Sequence, residues 1–267
     1  MKRMLTVVKA GGRLIEDEQM RRRVFDLLDF FWGPVVLVHG GGDMASAVSR
    51  QLGLEPRMHE GRRITDAESL RVAVMVYAGW VNKLIVAELQ ARGRMALGLS
   101  GADLNLIRAQ KRSPYPVDFG YVGDIVHVEA SVLQPLLGSG ITPVVCALTH
   151  DGKGQLLNTN ADTIAASLAI ALQQALPLGV RLVYVLDKPG VLLDTRDENT
   201  ILRQLDLRQY HQLLVDGAIH SGMKPKLHNA FEAVRAGIGE VWIGNPDSIM
   251  GGSATCLHAE GEKVAAP

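Results

Sequence analysis

Cysteine is scarce in this sequence: Cys146 and Cys256 are the only two among 267 residues, far apart and both in apolar, strand-like surroundings. That excludes a disulfide framework and reads as two buried thiols in a reducing cytosol. Excess charge of either sign is missing as well. Lys plus Arg number 28 and Asp plus Glu number 28, so the formal net charge is zero and nothing points to a nucleic-acid partner. No uninterrupted apolar run reaches membrane-spanning length, and Met1-Lys2-Arg3 leads straight into a strand-like segment. A soluble protein with no signal peptide and no membrane partner is expected. The eight histidines are scattered without ligand spacing, which argues against a zinc site.

Several motifs are lacking too. There is no G-x-x-x-x-G-K-[ST] loop, so any nucleotide use is not of the P-loop kind, and no G-x-S-x-G elbow of a hydrolase. Residues Gly40 to Ala45 formally satisfy G-x-G-x-x-A, but a dinucleotide site needs a following strand that ends in an acid, and here the chain turns Arg-rich and Pro-broken. Internal repeats and low-complexity tracts are absent.

What is present is an α/β pattern with 47% hydrophobic residues, enough for one large domain or two tightly packed lobes. Leu5 to Val8 reads as a strand that runs into Lys9-Ala10-Gly11-Gly12, and residues 17–31 as a helix with Met20, Val24, Leu27, Leu28 and Phe31 on one face. Val35 to Val38 is a second strand, entering His39-Gly40-Gly41-Gly42-Asp43 and a helix over 43–52. Parallel strands joined by a helix put both Gly-rich loops on one sheet edge, where open α/β sheets bind ligands. The backbone N–H groups of such loops suit a carboxylate or a phosphate.

Leu54 to Thr65 reads as a hairpin carrying Arg57, Arg62 and Arg63. A long helix capped by Thr65 or Asp66 follows, with Val72, Met75, Val76, Val81, Leu84, Ile85 and Leu89 inward. Met95 to Leu99 is a strand, residues 104–128 a β-rich insertion, 133–137 a short helix and Ile141 to Leu148 a core strand. Asn160 caps a helix to about residue 174, and a change of region falls near 173–179. The strand Leu182 to Leu186 ends in Asp187-Lys188-Pro189-Gly190. A helix over 206–215, another with Pro225 in its first turn and Leu227, Ala230, Phe231 and Val234 on one face, and strands at Glu240 to Ile243 and Ala254 to His258 complete the pattern, with a tail over 259–267.

Lys9, at a strand end among exposed N–H groups, is a solvated residue or a point charge in an anion site. Lys224 and Lys226 lie in a helix's first turn, where a cation opposes the dipole unless an anion is bound. Asp162 either complements its own helix or holds lysine ammonium groups in place. Arg63 has the side chain best shaped for a carboxylate, and Asn158 offers a donor and an acceptor near Asp162.

In series, Lys9-Ala10-Gly11-Gly12, His39-Gly40-Gly41-Gly42, Arg63-Ile64-Thr65-Asp66, Asn158-Thr159-Asn160-Ala161-Asp162 and Gly222-Met223-Lys224-Pro225-Lys226 resemble the amino acid kinase family, from residue 4 to about 258. Val81-Asn82-Lys83, Gly98-Leu99-Ser100-Gly101 and Gly120-Tyr121-Val122-Gly123-Asp124 also look like stretches of that family. The resemblance implies a three-layer αβα sandwich with a mainly parallel central sheet. Residues 1–172 would form an N-terminal lobe for an acylated amino acid and for homodimer contacts, and 173–258 a C-terminal lobe for ATP. Mg2+ would be held by the nucleotide phosphates and not by the chain.

By position, Lys9 and Lys226 would stabilise the transferring phosphoryl group and Asp162 would orient them. Gly12 would contact phosphate, Gly41 and Gly42 phosphate and substrate, and Arg63 and Asn158 the substrate. Asp187, Lys188, Pro189, Gly190, Val191, Leu192, Ala218, Ile219 and His220 fall where the family contacts the nucleotide. The implied reaction is ATP-dependent phosphorylation of the side-chain carboxylate of N-acetyl-L-glutamate, in cytoplasmic arginine biosynthesis. N-succinylglutamate, carrier-linked aminoadipate, or a ligand-sensing relative without activity are the alternatives. A carboxylate is already ionised at neutral pH, so no general base is needed. The chain departs from the family's pattern at Ala10, Ala102 and Ser221, and it begins almost at its first strand; a homodimer with little feedback inhibition by arginine is expected.

Overall fold

A computed structural model describes residues 4–219 and 222–259 of the chain. Eight strands form the central sheet: β1 (Leu5–Ala10), β2 (Val35–His39), β3 (Ala96–Leu99), β4 (Thr142–Cys146), β5 (Val180–Val185), β6 (Gln204–Asp206), β7 (Glu240–Gly244) and β8 (Thr255–His258). Their order is β6-β8-β7-β5-β1-β2-β4-β3. Every pair from β7 to β3 is parallel, β6 is parallel to β8, and only β8 against β7 is antiparallel. Strands buried on both faces read as continuous apolar runs, which is why LTVV, VVLV and LVYV stand out in the sequence.

Alternation along the strands sorts the core into two layers. Leu5, Val7, Val36, Val38, Leu182 and Tyr184 face the helices Ala161–Ala175 and Lys224–Arg235, packing on Ile164, Leu168, Leu172, Leu227 and Phe231. Val8, Ala10, Val35, Leu37, Val183 and Val185 face the helix Glu18–Phe30 and the helical run Ala67–Ala91, against Val24, Phe25, Leu28, Ile85 and Leu89. This is the expected three-layer αβα sandwich. With a period of two, Lys9 shares its face with Val7, and in register beside it stands Tyr184. The division at 172/173 falls inside the helix Ala161–Ala175, and the β1–β5 pairing runs one sheet through both halves of the chain.

The run Ala67–Ala91 differs from its sequence reading. It is long and apolar enough to cross a membrane by length and composition, with a mean hydropathy of 1.5, which a search for uninterrupted apolar residues misses because Lys83 and Glu88 interrupt it. Here it packs on β3 and β4 as one layer of the sandwich. Its middle, Val74–Val81, is π-helical. The wider turn changes which side chains point inward, so Tyr77 is buried while Met75, read as core, is 48% exposed.

A second sheet of four short strands joins Ile107–Lys111 and Gly123–Val128, from the expected β-rich insertion, to Leu148–His150 and Leu156–Asn158, which lie outside it; the core strand read as reaching Leu148 ends at Cys146, and Leu148 belongs to this second sheet. The hairpin Met58–His59/Arg62–Arg63 turns on Glu60 and Gly61, both with positive φ (47° and 75°), as a two-residue primed turn requires. Cys146 and Cys256 are both free and buried.

Candidate active site

The carboxyl ends of β1, β2, β4 and β5 open on one cavity of about 620 Å³, a size suited to small ligands. The two Gly-rich loops meet there. A Cβ on Gly12 would stand 3.4 Å from Gly42 N and 3.5 Å from Gly41 N, so a side chain at 12 would sit on the amides of the other loop. A Cβ on Gly41 would come within 3.0 Å of the Tyr77 ring behind it. At Gly42 nothing among the described residues lies within 4 Å of where a Cβ would stand, and Gly42 lines the cavity. Glu16, at the end of the short helix Gly12–Glu16, accepts from Met44 N at 2.8 Å and ties the first loop's helix to the helix Gly42–Gln51.

On the Lys9 face three charged side chains converge. Lys9 Nζ lies 2.9 Å from Asp162 Oδ1, and Lys226 Nζ lies 2.9 Å from both carboxylate oxygens. Local sequence explains the meeting. Lys9 points from β1, Asp162 sits in the first turn of a helix that Asn160 caps by accepting from Asp162 N and Thr163 N, and Lys226 sits in the first turn of Lys224–Arg235 behind Pro225. Tyr184 Oη donates to Asp162 O at 3.0 Å, and its ring centroid is 5.1 Å from Lys226 Nζ. Burial raises the Asp162 pKa, but the two ammonium groups outweigh it and hold the carboxyl well below the usual range. Burial, joined by the nearby Lys9 charge, pulls Lys226 down to about 8.

Arg63 Nη2 donates to Gly42 O at 2.7 Å and Ser46 Oγ at 2.6 Å, at the hairpin end of the cavity. Asn158 Nδ2 donates to Thr65 Oγ1 at 3.0 Å on the same wall. Six lining side chains are cationic (Lys9, Arg13, Arg62, Arg63, Arg112 and Lys226) against three carboxylates (Asp43, Asp162 and Asp187), so the cavity favours anions although the chain as a whole is neutral.

The structure thus brings together Lys9, Gly12, Gly41, Gly42, Arg63, Asn158, Asp162 and Lys226. Lys224 is exposed and does not line the cavity, because one helical turn cannot aim residues 224 and 226 the same way. Of the residues assigned to the nucleotide, Asp187 lines the cavity and the next five do not. Lys188 pairs with Glu198 at 3.4 Å. Pro189 O lies 2.8 Å from where a Cβ on Gly244 would stand, and a Cβ on Gly190 would stand 2.5 Å from Thr255 Oγ1. Val191 and Leu192 are buried, with Val191 N donating to Thr255 Oγ1. Ile219 is core, Ala218 N donates to Leu213 O, and His220 lies outside the described residues. Sequence reasoning missed Tyr77, Ser46, Thr65 and Arg112 near this site; the only signal for Tyr77 was an aromatic residue in a helix rich in apolar neighbours.

Paired ammonium groups and backbone amides around an open anion cavity, on the carboxyl ends of a parallel sheet, define a phosphotransferase of the α/β class. The chain belongs to the amino acid kinase family, whose model matches residues 4–245. It is 49% identical over 243 residues to the acetylglutamate kinase of Bacteroides thetaiotaomicron, covering 91% of this chain and 94% of that protein. The acetylglutamate kinase of Methanopyrus kandleri is 41% identical, over 95% of this chain and all of that protein. Among solved structures, carbamate kinase from Giardia lamblia bound to AMP-PNP superposes with a TM-score of 0.67 at 14% identity, over 97% of this chain and 99% of that one, a likeness of fold.

Proposed function

We propose that this chain transfers the γ-phosphoryl group of ATP to the side-chain carboxylate of N-acetyl-L-glutamate, giving an acyl phosphate. The observation that carries the reading is the Lys9–Asp162–Lys226 cluster beside Gly12, Gly41 and Gly42. Two anions must approach, and positioned cations and amides offset their repulsion without a base. The curated relatives favour the acetyl derivative of glutamate as acceptor. Residues 1–172 supply the acceptor end, with Arg63 and Asn158 on the substrate, and 173–258 supply the nucleotide end from Asp187 onward.

Both oxygens of Asp162 are engaged by its lysines. Mg2+ would enter with the ATP phosphates, where it neutralises charge on the transferring group. Hydroxylamine trapping tests the reaction, with ATP, Mg2+ and N-acetylglutamate, N-succinylglutamate, glutamate, aspartate or carrier-linked aminoadipate. N-acetylglutamate is expected to give most product, and no product with any acceptor rejects the reading.

Arg63→Ala is expected to raise the acceptor KM by about 10- to 100-fold, the loss of a charge-assisted hydrogen bond, with kcat little changed. A matching fall in kcat would move Arg63 into the transition state. The low Lys226 pKa also has a kinetic signature. Its proton is bound less tightly in the fold than in the unfolded chain, so charging Lys226 costs stability below about pH 8, a cost relieved as pH rises toward the ordinary lysine value. The charged form is the active one. In the free enzyme kcat/KM is thus expected to fall above about pH 8, whereas bound phosphate anions shift the same limb in kcat upward. Lys226→Arg, which stays charged, removes the limb.

A homodimer is proposed through the outer face of the π-helical segment. Trp80 is 66% exposed there and Met75 48%, with exposed Gly79 between them, an apolar surface on one helical segment. Light scattering should give twice the chain mass, and Trp80→Glu should give the monomer; an unchanged mass for Trp80→Glu refutes this face. Two buried thiols without a disulfide suit the proposed cytoplasmic setting.

A further inference from the structure

Val81-Asn82-Lys83 and Gly98-Leu99 take no part in the cavity wall, yet they meet behind the Gly40–Gly42 loop. Lys83 Nζ donates to Asn82 Oδ1 at 3.1 Å, which fixes the carboxamide's orientation. The Asn82 NH2 group then donates to Val144 O at 2.9 Å and faces His39 Nε2 at 3.1 Å. An NH2 group can only donate, so Nε2 accepts and the imidazole proton lies on Nδ1, 2.8 Å from Gly40 O. His39 is fully buried. Gly98 leaves the room this network needs: a Cβ there would stand 1.8 Å from Asn82 Oδ1 and 2.6 Å from Lys83 Nζ.

The Gly40 carbonyl and the Gly41 N–H belong to one trans peptide plane and point in opposite directions. Drawing Gly40 O inward to His39 therefore turns Gly41 N–H outward, into the gap facing Gly12. Three successive glycines would not choose that orientation by themselves, because they lack the steric preferences of other residues. We propose that Asn82 selects the Nδ1–H tautomer of His39, and that His39 is a positioning residue which holds the Gly41 amide toward the transferring phosphoryl group through Gly40 O. The assignment rests on the phosphotransfer reading above; the tautomer itself does not.

Long-range 1H–15N spectra of the full chain labelled at histidine read the tautomer directly, with Nδ1–H expected at His39 and its loss expected in Asn82→Leu. In hydroxylamine assays, Asn82→Leu and His39→Leu should each lower kcat by about 10²-fold, the scale of an ångström-level misplacement, with the acceptor KM little changed. Gly98→Ala should act in the same direction by displacing the carboxamide. His39→Asn, which restores a donor near the Nδ1 position, should recover most of the kcat lost in His39→Leu. An Nε2–H tautomer in the wild-type protein overturns the proposal even if no variant folds. So does a wild-type kcat in folded Asn82→Leu or His39→Leu. Absence of acyl phosphate from the wild-type protein with every acceptor would instead reject the proposed reaction, and the spectrum would still decide the tautomer.

Discussion

Lys226→Ala is expected to lower kcat by about 10²- to 10³-fold and to leave the acceptor KM nearly unchanged. Lys9 and Lys226 share one carboxylate, so the three groups carry one net positive charge, and the substitution brings that to zero. A unit charge about 4 Å from a developing negative charge contributes about 4 kcal/mol at an effective dielectric constant near 20, roughly a thousandfold in rate. Under the proposed roles Arg63 holds the substrate's other carboxylate at the far end of the cavity, so ground-state binding is expected to survive. Folding survives as well, because Asp162 keeps Lys9 and no buried charge is orphaned. Steady-state kinetics by hydroxylamine trapping separate the two parameters, and melting by circular dichroism checks the fold. A raised KM with an unchanged kcat would make Lys226 a binding group only.

The parts of this site visible in the sequence are those set by local rules. Strand runs followed by glycines marked both anion loops, and Asn160 marked the helix that presents Asp162, since capping depends on neighbours two and three residues away. A charged residue between Val8 and the Gly11-Gly12 turn marked Lys9. What stayed hidden depends on contacts between distant segments. Tyr77 reaches Gly41 only because a π-helical stretch turns it inward, and nothing in the apolar periodicity announces the wider turn. Asn158 meets Thr65 because Thr65 pairs with the segment around Phe119 and Tyr121, which in turn pairs with Asn158, a three-way register set by tertiary packing. The sequence after β5 offered a turn of Asp187 to Gly190 but not that Gly190 and Val191 pack on Thr255, so that only Leu186 and Asp187 of this stretch reach the cavity.

Asp162→Asn should be the most damaging substitution to the fold and the site together. The carboxylate's side chain is only 13% exposed and is the shared partner of two ammonium groups whose side chains are 11% and 9% exposed. Removing one member of a buried ion pair costs about 3–5 kcal/mol, because the charge left behind has lost its compensation; here two like charges are left facing each other. For a chain of this size that corresponds to a Tm lower by on the order of 10 °C. One lysine escapes by losing its proton, and Lys226, already lowered to about 8, is the one that does so. The basic limb of kcat/KM should therefore move below its wild-type position, and kcat at neutral pH should fall as Lys226 loses its charge, by less than the Lys226→Ala factor because Lys9 keeps one positive charge in the cluster. The acid side changes in the opposite sense. With its folded pKa held below the unfolded value, Asp162 contributes stability that is present above about pH 4 and lost as pH falls, so the variant's stability should depend less on pH in that range. Melting curves from pH 3 to 9 for both proteins test all of this at once: parallel pH dependences with equal Tm values would mean that Asp162 carries no net stabilising charge, and that the two lysines are held by something other than their shared carboxylate.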